Sequence, residues 1–253
     1  MGVVAMAFAH YSNFYRCLWT SIEPVVATNA FGDACRELRA CAEAQAGVFA
    51  PPAIDAQLTE IGYDTNEINQ IIACNEVFSD GNMPYLLLAS LARALLEGFE
   101  WSGRVPGSAL SRPAVEMPHP VLMEPHHVDR KTAAIYDDIR ETLGLPFVNT
   151  DYRAFARWPS YFALAWCNLK PVIQSTAYET AVSQIHSHAV KLAVDLPNVT
   201  GLSPQDLVDA AARDADPAEV LAVVRLFQWL LPGLAFNVAF FRAQLTGSAQ
   251  PVG

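Results

Sequence analysis

The stretch LPFVNTDYRAFARWPSYF (145–162) sets one carboxylate, Asp151, beside Phe147, Tyr152, Phe155 and Trp158. Apolar surroundings strengthen a carboxylate as a base, while a helix N-terminus pulls the other way. A carboxylate in such a place can hold a water molecule and take a proton from it. The same residues admit a plainer reading. Pro146 stops one helix, and Asn149, Thr150 and Asp151 are all good N-cap residues, so Asp151 also reads as an ordinary cap of the next helix.

Other chemistry-bearing side chains point less clearly to a site. His186 and His188 are two apart on a predicted helix and face different ways, whereas helical metal pairs sit near four apart. His126 and His127 lie with Glu124 and Asp129 in a Pro-rich stretch that follows no ligand spacing, so no metal is expected. The five cysteines (17, 35, 41, 74 and 167) form no CxxC pair and have no neighbouring base pattern. They read as reduced, buried thiols in a cytoplasmic protein rather than nucleophiles. Arg153 and Arg157 offer guidance to an anionic substrate.

The elements that position Asp151 show a duplication. LWTSIEPVVATNAF (18–31) and AWCNLKPVIQSTAY (165–178) align without a gap at an offset of 147, with Trp19 on Trp166, Pro24 on Pro171 and Ala30 on Ala177. A second echo relates FSDGNMPYLLLASLARALLEG (78–98) to FQWLLPGLAFNVAFFRAQLTG (227–247), with Phe78 on Phe227 and Arg93 on Arg242. The pattern predicts two related helical repeats packed as a pseudo-twofold intrachain dimer, with a pocket where the halves meet. Residues 1–100 form the first repeat, 101–130 a Pro-rich linker, and 131–253 the second repeat carrying the acid. At the offset Asp151 falls on Val4, so the carboxylate belongs to one half alone.

Apolar residues recur at helical spacing and alternating β patterns are nearly absent, so the fold class is all-α. Helices are predicted over 85–99, 135–145, 177–196 and 217–231, the first buried nearly all round. Asp64 with Glu67 has capping-box spacing, and Ser203 precedes a Pro204 suited to a first helical turn. Pro24 and Pro171 should kink or end their helices.

At 253 residues and 52% hydrophobic the chain has ample core, and its net charge of −10 without a basic cluster argues against nucleic acid. The longest apolar run, near 226–241, is interrupted by Gln228, Pro232, Gly233 and Asn237, so no membrane span is expected. The first ten residues lack a basic start, so no signal peptide is expected.

Together with NEVFSDGNMPYLLL (75–88), the segment PFVNTDYRAFARWPSYF resembles the group I DL-2-haloacid dehalogenases, and the likeness runs from about Phe8 to about Gly247. The resemblance implies an all-helical, two-halved, cofactor-free hydrolase. Its partners would be a short 2-halocarboxylic acid of either hand and water, and its product a 2-hydroxy acid. An Asp activates the water, which attacks C2 directly with inversion and without an enzyme ester. Asp151, in the context Thr150-Asp151-Tyr152, matches that base. Asn82 matches the family's Asn before a Tyr-Leu-Leu run and would hold the water or the substrate carboxylate, and Thr28 falls on a polar threonine. The helix start at 149–151 offers N–H donors to the substrate carboxylate. Phe147, Tyr11, Trp158 and Trp229 are candidates for the apolar halide wall.

This chain also departs from the family pattern. Shifted by the offset, Pro146-Phe147-Val148 falls before residue 1, so the first half is expected to lack that pocket segment. Gly32, with Asp33 adjacent, stands where the family is acidic, and Trp229 where a tyrosine is expected. The alternative is therefore a non-catalytic or diverged helical member that binds a small carboxylate or a protein. A homodimer is the default assembly.

Overall fold

The computed structural model describes residues 3–103 and 120–247. Within them lie α1 (Val3–Ala9), α2 (Ser12–Val26), α3 (Asn29–Gly47), α4 (Asp55–Ile61), α5 (Thr65–Leu96), α6 (Arg130–Leu143), α7 (Thr150–Phe155), α8 (Pro159–Ile173), α9 (Thr176–Asp195), α10 (Pro204–Ala212) and α11 (Pro217–Thr246). Among the described residues there is no strand, only a bridge between Gly103 and Pro197. The all-α expectation holds.

Local chemistry sets the helix ends. The Glu67 N–H donates to Asp64 Oδ1 (2.8 Å) and the Asp64 N–H to Glu67 Oε2 (3.1 Å), which closes the expected box ahead of α5. Ser203 and Asp206 form the same device at α10, with Pro204 in the first turn. Asp129 caps α6 by accepting from the Thr132 N–H at 2.7 Å. Gly144, at φ +65°, ends that helix in the left-handed conformation that glycine adopts freely. Helices α2 and α8 each stop two residues after their prolines, Pro24 and Pro171.

One expectation fails. The helix predicted to break at Pro232 and Gly233 runs on to Thr246 as the 30-residue α11, just as α5 runs through Pro84. An interior proline costs about 3 kcal/mol. Leu231, Leu234, Ala235, Phe236, Val238, Phe240 and Phe241 are all buried around Pro232, and that packing outweighs the lost hydrogen bond. By length and composition α11 is therefore apolar enough to cross a membrane, which the sequence expectation denied. Half of its apolar window is buried inside the protein, as in a core helix.

The helices correspond in order across the chain. Val3 and Thr150, Ser12 and Pro159, and Asn29 and Thr176 open α1/α7, α2/α8 and α3/α9, each pair at the offset of the sequence echo. Even the joints agree. Thr28 Oγ1 donates to the Val25 carbonyl (2.6 Å) and accepts from the Phe31 N–H (3.2 Å), while Ser175 Oγ donates to Val172 (2.7 Å) and accepts from Tyr178 (3.2 Å).

Two compact units emerge, each drawn from both ends of the chain. Their described parts are residues 3–41, 80–103 and 183–235, and residues 42–79, 120–182 and 236–247. In the first, α2 packs on α1 and α10, and Phe8 sits edge-on to Phe14 (5.5 Å between centroids) and Phe227 (6.0 Å). In the second, α8 packs on α6 and α7, and Phe155 sits edge-on to Tyr161 (6.0 Å) and Phe78 (5.7 Å).

Residues 104–119 of the expected linker lie outside the described residues. The described residues at its two ends are tied down. Trp101 Nε1 donates to the Leu196 carbonyl (2.6 Å), and a Cβ at Gly103 would collide with the Leu196 carbonyl oxygen, so only glycine fits that approach. At the other end Tyr136 Oη donates to the Met123 carbonyl (2.8 Å) and the Met123 N–H to the Arg153 carbonyl (2.9 Å).

Candidate active site

Asp151 lies on the short helix α7 in the second unit and is 3% exposed. Asn149, not Asp151, holds the N-cap position, and its side chain makes no capping bond. The carboxylate thus stands inside the first turn, and it is buried. The plain capping reading does not account for it.

Several contacts fix α7. Arg153 Nη1 donates to both Glu124 carboxylate oxygens (2.7 and 2.9 Å) on the strap of residues 120–124. Tyr152 is wholly buried among Phe162, Trp166 and Phe241. Its hydroxyl accepts from Asn237 Nδ2 (2.8 Å), whose Oδ1 accepts from the Tyr178 hydroxyl (3.1 Å). Burial pushes both phenols above their ordinary range, so they remain neutral links. Outside this core Asp138 accepts from Trp166 Nε1 (2.8 Å) and Lys170 Nζ (2.6 Å), and these bonds hold its carboxyl below the usual value.

The remaining sequence-predicted residues divide between the units. Thr150 and Phe147 flank the acid on either side of Asn149, both half-buried, and Trp158 is buried at the N-cap of α8 with the Arg157 guanidinium 5.0 Å over its ring. In the first unit Tyr11 occupies the matching N-cap of α2 and donates to Glu219 Oε1 at 2.8 Å. That bond to Glu219 raises its phenol pKa. Asn82 is 8% exposed, two residues before Pro84 on α5.

Two expectations change. Thr28 is spent on the α2–α3 joint, donating and accepting locally, as Ser175 does at the matching joint, so structure rather than substrate binding explains it. Trp229 is 71% exposed and offers no dry wall for a halide.

Sequence reasoning missed three groups in the second unit. Asn149 Oδ1 and the Tyr161 hydroxyl are buried without a hydrogen-bond partner among the described residues. Cys74, on α5, lies within the electrostatic reach of Asp151 and Arg157, and burial is the main cause that pushes its thiol up to about 11. The signal for Cys74 and Tyr161 was available: the second echo pairs Cys74 with Val223, and the first offset pairs Tyr161 with Phe14. Among the described residues, no group of three or more His, Cys, Asp or Glu side chains is placed to hold a metal ion.

A buried carboxylate on an anchored helix is a group able to take a proton from water. Comparison with known proteins shows the family. The chain is 46% identical over 202 residues to an (R)-2-haloacid dehalogenase of Rhizobium sp. (strain NHG3), covering 78% of each. It belongs to the 2-haloacid dehalogenase family. A Pseudomonas putida (R)-2-haloacid dehalogenase is 35% identical over 250 residues, 96% of this chain and 83% of that one. A configuration-inverting 2-haloacid dehalogenase of Pseudomonas sp. (strain 113) is 24% identical over 210 residues, 79% and 68% of the two chains. A solved D-2-haloacid dehalogenase in complex with L-LA superposes with a TM-score of 0.86 at 34% identity, covering 97% of this chain and 86% of that one. No family model matches the chain.

Proposed function

We propose that this 2-haloacid dehalogenase family member hydrolyses short 2-halocarboxylic acids to 2-hydroxy acids, with Asp151 as the base. Asp151 takes a proton from water as the water oxygen attacks C2 opposite the halogen, which inverts the centre and leaves the enzyme unmodified. Nearly complete burial of the one carboxylate that the family resemblance singles out carries the reading. A base in this role contributes about 10²–10⁴-fold in rate. Thr150 borders the base, and Phe147 and Trp158 supply apolar wall; the roles of Asn82 toward the water or substrate carboxylate and of Tyr11 toward the halide rest on the family resemblance alone. The (R)- and D- names of the relatives make the D-enantiomer the first substrate to try.

The same reading takes residues 1–100 and 131–253 as two copies of one helical unit joined through 101–130. The matched helix starts and the matched Thr28 and Ser175 joints support it. A cytoplasmic location fits five cysteines that form no disulfide, and assembly as a homodimer belongs to the same reading.

Halide release from D- and L-2-chloropropionate tests the function. Wild-type protein should release chloride from the D-form at least, and Asp151→Asn should release it about 10²–10⁴-fold more slowly while keeping its helical circular dichroism. Chloride release undiminished in Asp151→Asn would remove Asp151 as the base.

A further inference from the structure

The two helical frameworks share a pair of edge-on ring contacts at matching positions. Phe8 meets Phe14 and Phe227, and Phe155 meets Tyr161 and Phe78, all edge-on at centroid distances of 5.5 to 6.0 Å. Around that shared cluster three positions change from apolar to polar: Val4 to Asp151, Phe14 to Tyr161 and Val223 to Cys74. All three changes fall in the unit that carries the acid.

The polar set occupies one seam. Asp151 and Phe155 are four apart on α7, and Cys74 and Phe78 are four apart on α5, so each pair shares a helix face. The Phe78–Phe155 contact is one rung between those faces, and Cys74 and Asp151 lie one turn earlier on their helices, within electrostatic reach of each other. Tyr161 packs on the same Phe155 ring, and its side chain is fully buried. Its hydroxyl has no hydrogen-bond partner among the described residues. A buried O–H left without a partner is costly, and phenylalanine fills the matching position at no such cost.

Building on the dehalogenase reading above, we propose that Tyr161 is a halide-binding residue, its hydroxyl donating, with the Cys74 thiol alongside, to the halide as it leaves C2. Inversion requires the water and the leaving group on opposite sides of C2. Asp151 supplies the water side. As the water oxygen bonds to C2, the carbon–halogen bond breaks and the halogen departs with the bonding pair. Asp151 keeps the proton, and the halide accepts the Tyr161 O–H. Burial keeps the phenol protonated and the thiol up to about 11, so both stay neutral donors. Neutral donors among rings suit a large, polarisable, weakly hydrated anion better than a water-seeking carboxylate.

The test compares D-2-chloro- and D-2-bromopropionate in wild type and Tyr161→Phe, the variant that restores the residue found at Phe14. The poorer leaving group needs the donor more. Loss of one hydrogen bond at the departing atom should lower kcat/KM about 10-fold for the chloro acid and about threefold for the bromo acid. The bromo-to-chloro ratio then rises, the inhibition constant for added bromide rises with it, and Tm is unchanged or higher. Cys74→Val should move the ratio the same way by less. Equal losses on both substrates, no loss, an unchanged bromide constant, or a fall in Tm that reveals a protein partner for the hydroxyl would each overturn the proposal. A wild type that releases no halide would overturn the dehalogenase reading and this proposal with it. An active wild type with an unaffected Tyr161→Phe variant would sink this proposal alone.

Discussion

Helices α1–α2 and α7–α8 start at matching places, end at matching prolines and bury matching rings, yet only one pair holds a buried carboxylate. Phe8 and Phe155 are both fully buried, and Tyr11 and Trp158 both sit at N-caps with closely similar backbone angles. Where the α1–α2 framework has Val4, the α7–α8 framework has Asp151. Trp19 is 38% exposed and stacks on Tyr15, whereas Trp166 is buried and its indole N–H is held by Asp138. The shared rings Phe8 and Phe155 carry packing, and the differing position carries the acid. A residue type that is costly to bury and is absent from the matched position needs a functional reason.

The largest test of that contrast swaps only the differing position. Asp151→Asn should cut kcat by about 10²–10⁴-fold with Tm within a degree or so of wild type. Val4→Ala should leave kcat alone and cost about 1–2 kcal/mol in urea unfolding. A kcat loss in Val4→Ala matching that in Asp151→Asn would erase the asymmetry. The shared positions come next. Phe8→Ala and Phe155→Ala should each lose about 3–5 kcal/mol, Phe155→Ala toward the upper end, because Phe8 packs edge-on against two rings and Phe155 against three. A large difference between them in denaturant titrations would mean that the two clusters are not equivalent. Thr28→Ala and Ser175→Ala should each cost about 1 kcal/mol through the lost caps, with activity retained. If Thr28→Ala alone abolishes activity at intact stability, the threonine touches substrate after all.

The smallest effect concerns pH. Cys74 has its folded pKa raised from 9.0 to about 11, so the folded form keeps a proton that the unfolded chain has released. Its contribution to stability is therefore complete below pH 9 and is lost between pH 9 and about 11. Cys74→Val should be near neutral at pH 7 and flatten that alkaline loss in thermal melts. A steeper alkaline loss in the variant would contradict the burial of the thiol.

Much of this was legible in the sequence, for identifiable reasons. Helix ends rest on local chemistry, so Asp64 with Glu67, Ser203 with Pro204 and the stop near Pro146 could be read directly. The offset could be read because tryptophan and proline are scarce. The continuity of α11 could not, since local rules end a helix at Pro232 and only the surrounding packing keeps it going. Trp229 looked like pocket wall because apolar content hides which side of a dense helix meets solvent. Thr28 matched a family position whose local capping duty shows only in three dimensions. Asp151 stood out by its aromatic context, but Tyr161 and Cys74 became visible only when the two frameworks were laid over each other.

A single turnover in 18O-water, with enzyme in excess over D-2-chloropropionate, tests the central claim most directly. If Asp151 activates water for direct attack, the label appears in the 2-hydroxy acid after the first turnover and none enters the protein. Unlabelled product, with one 18O in the peptide containing Asp151, would show attack by the carboxylate itself and contradict the account.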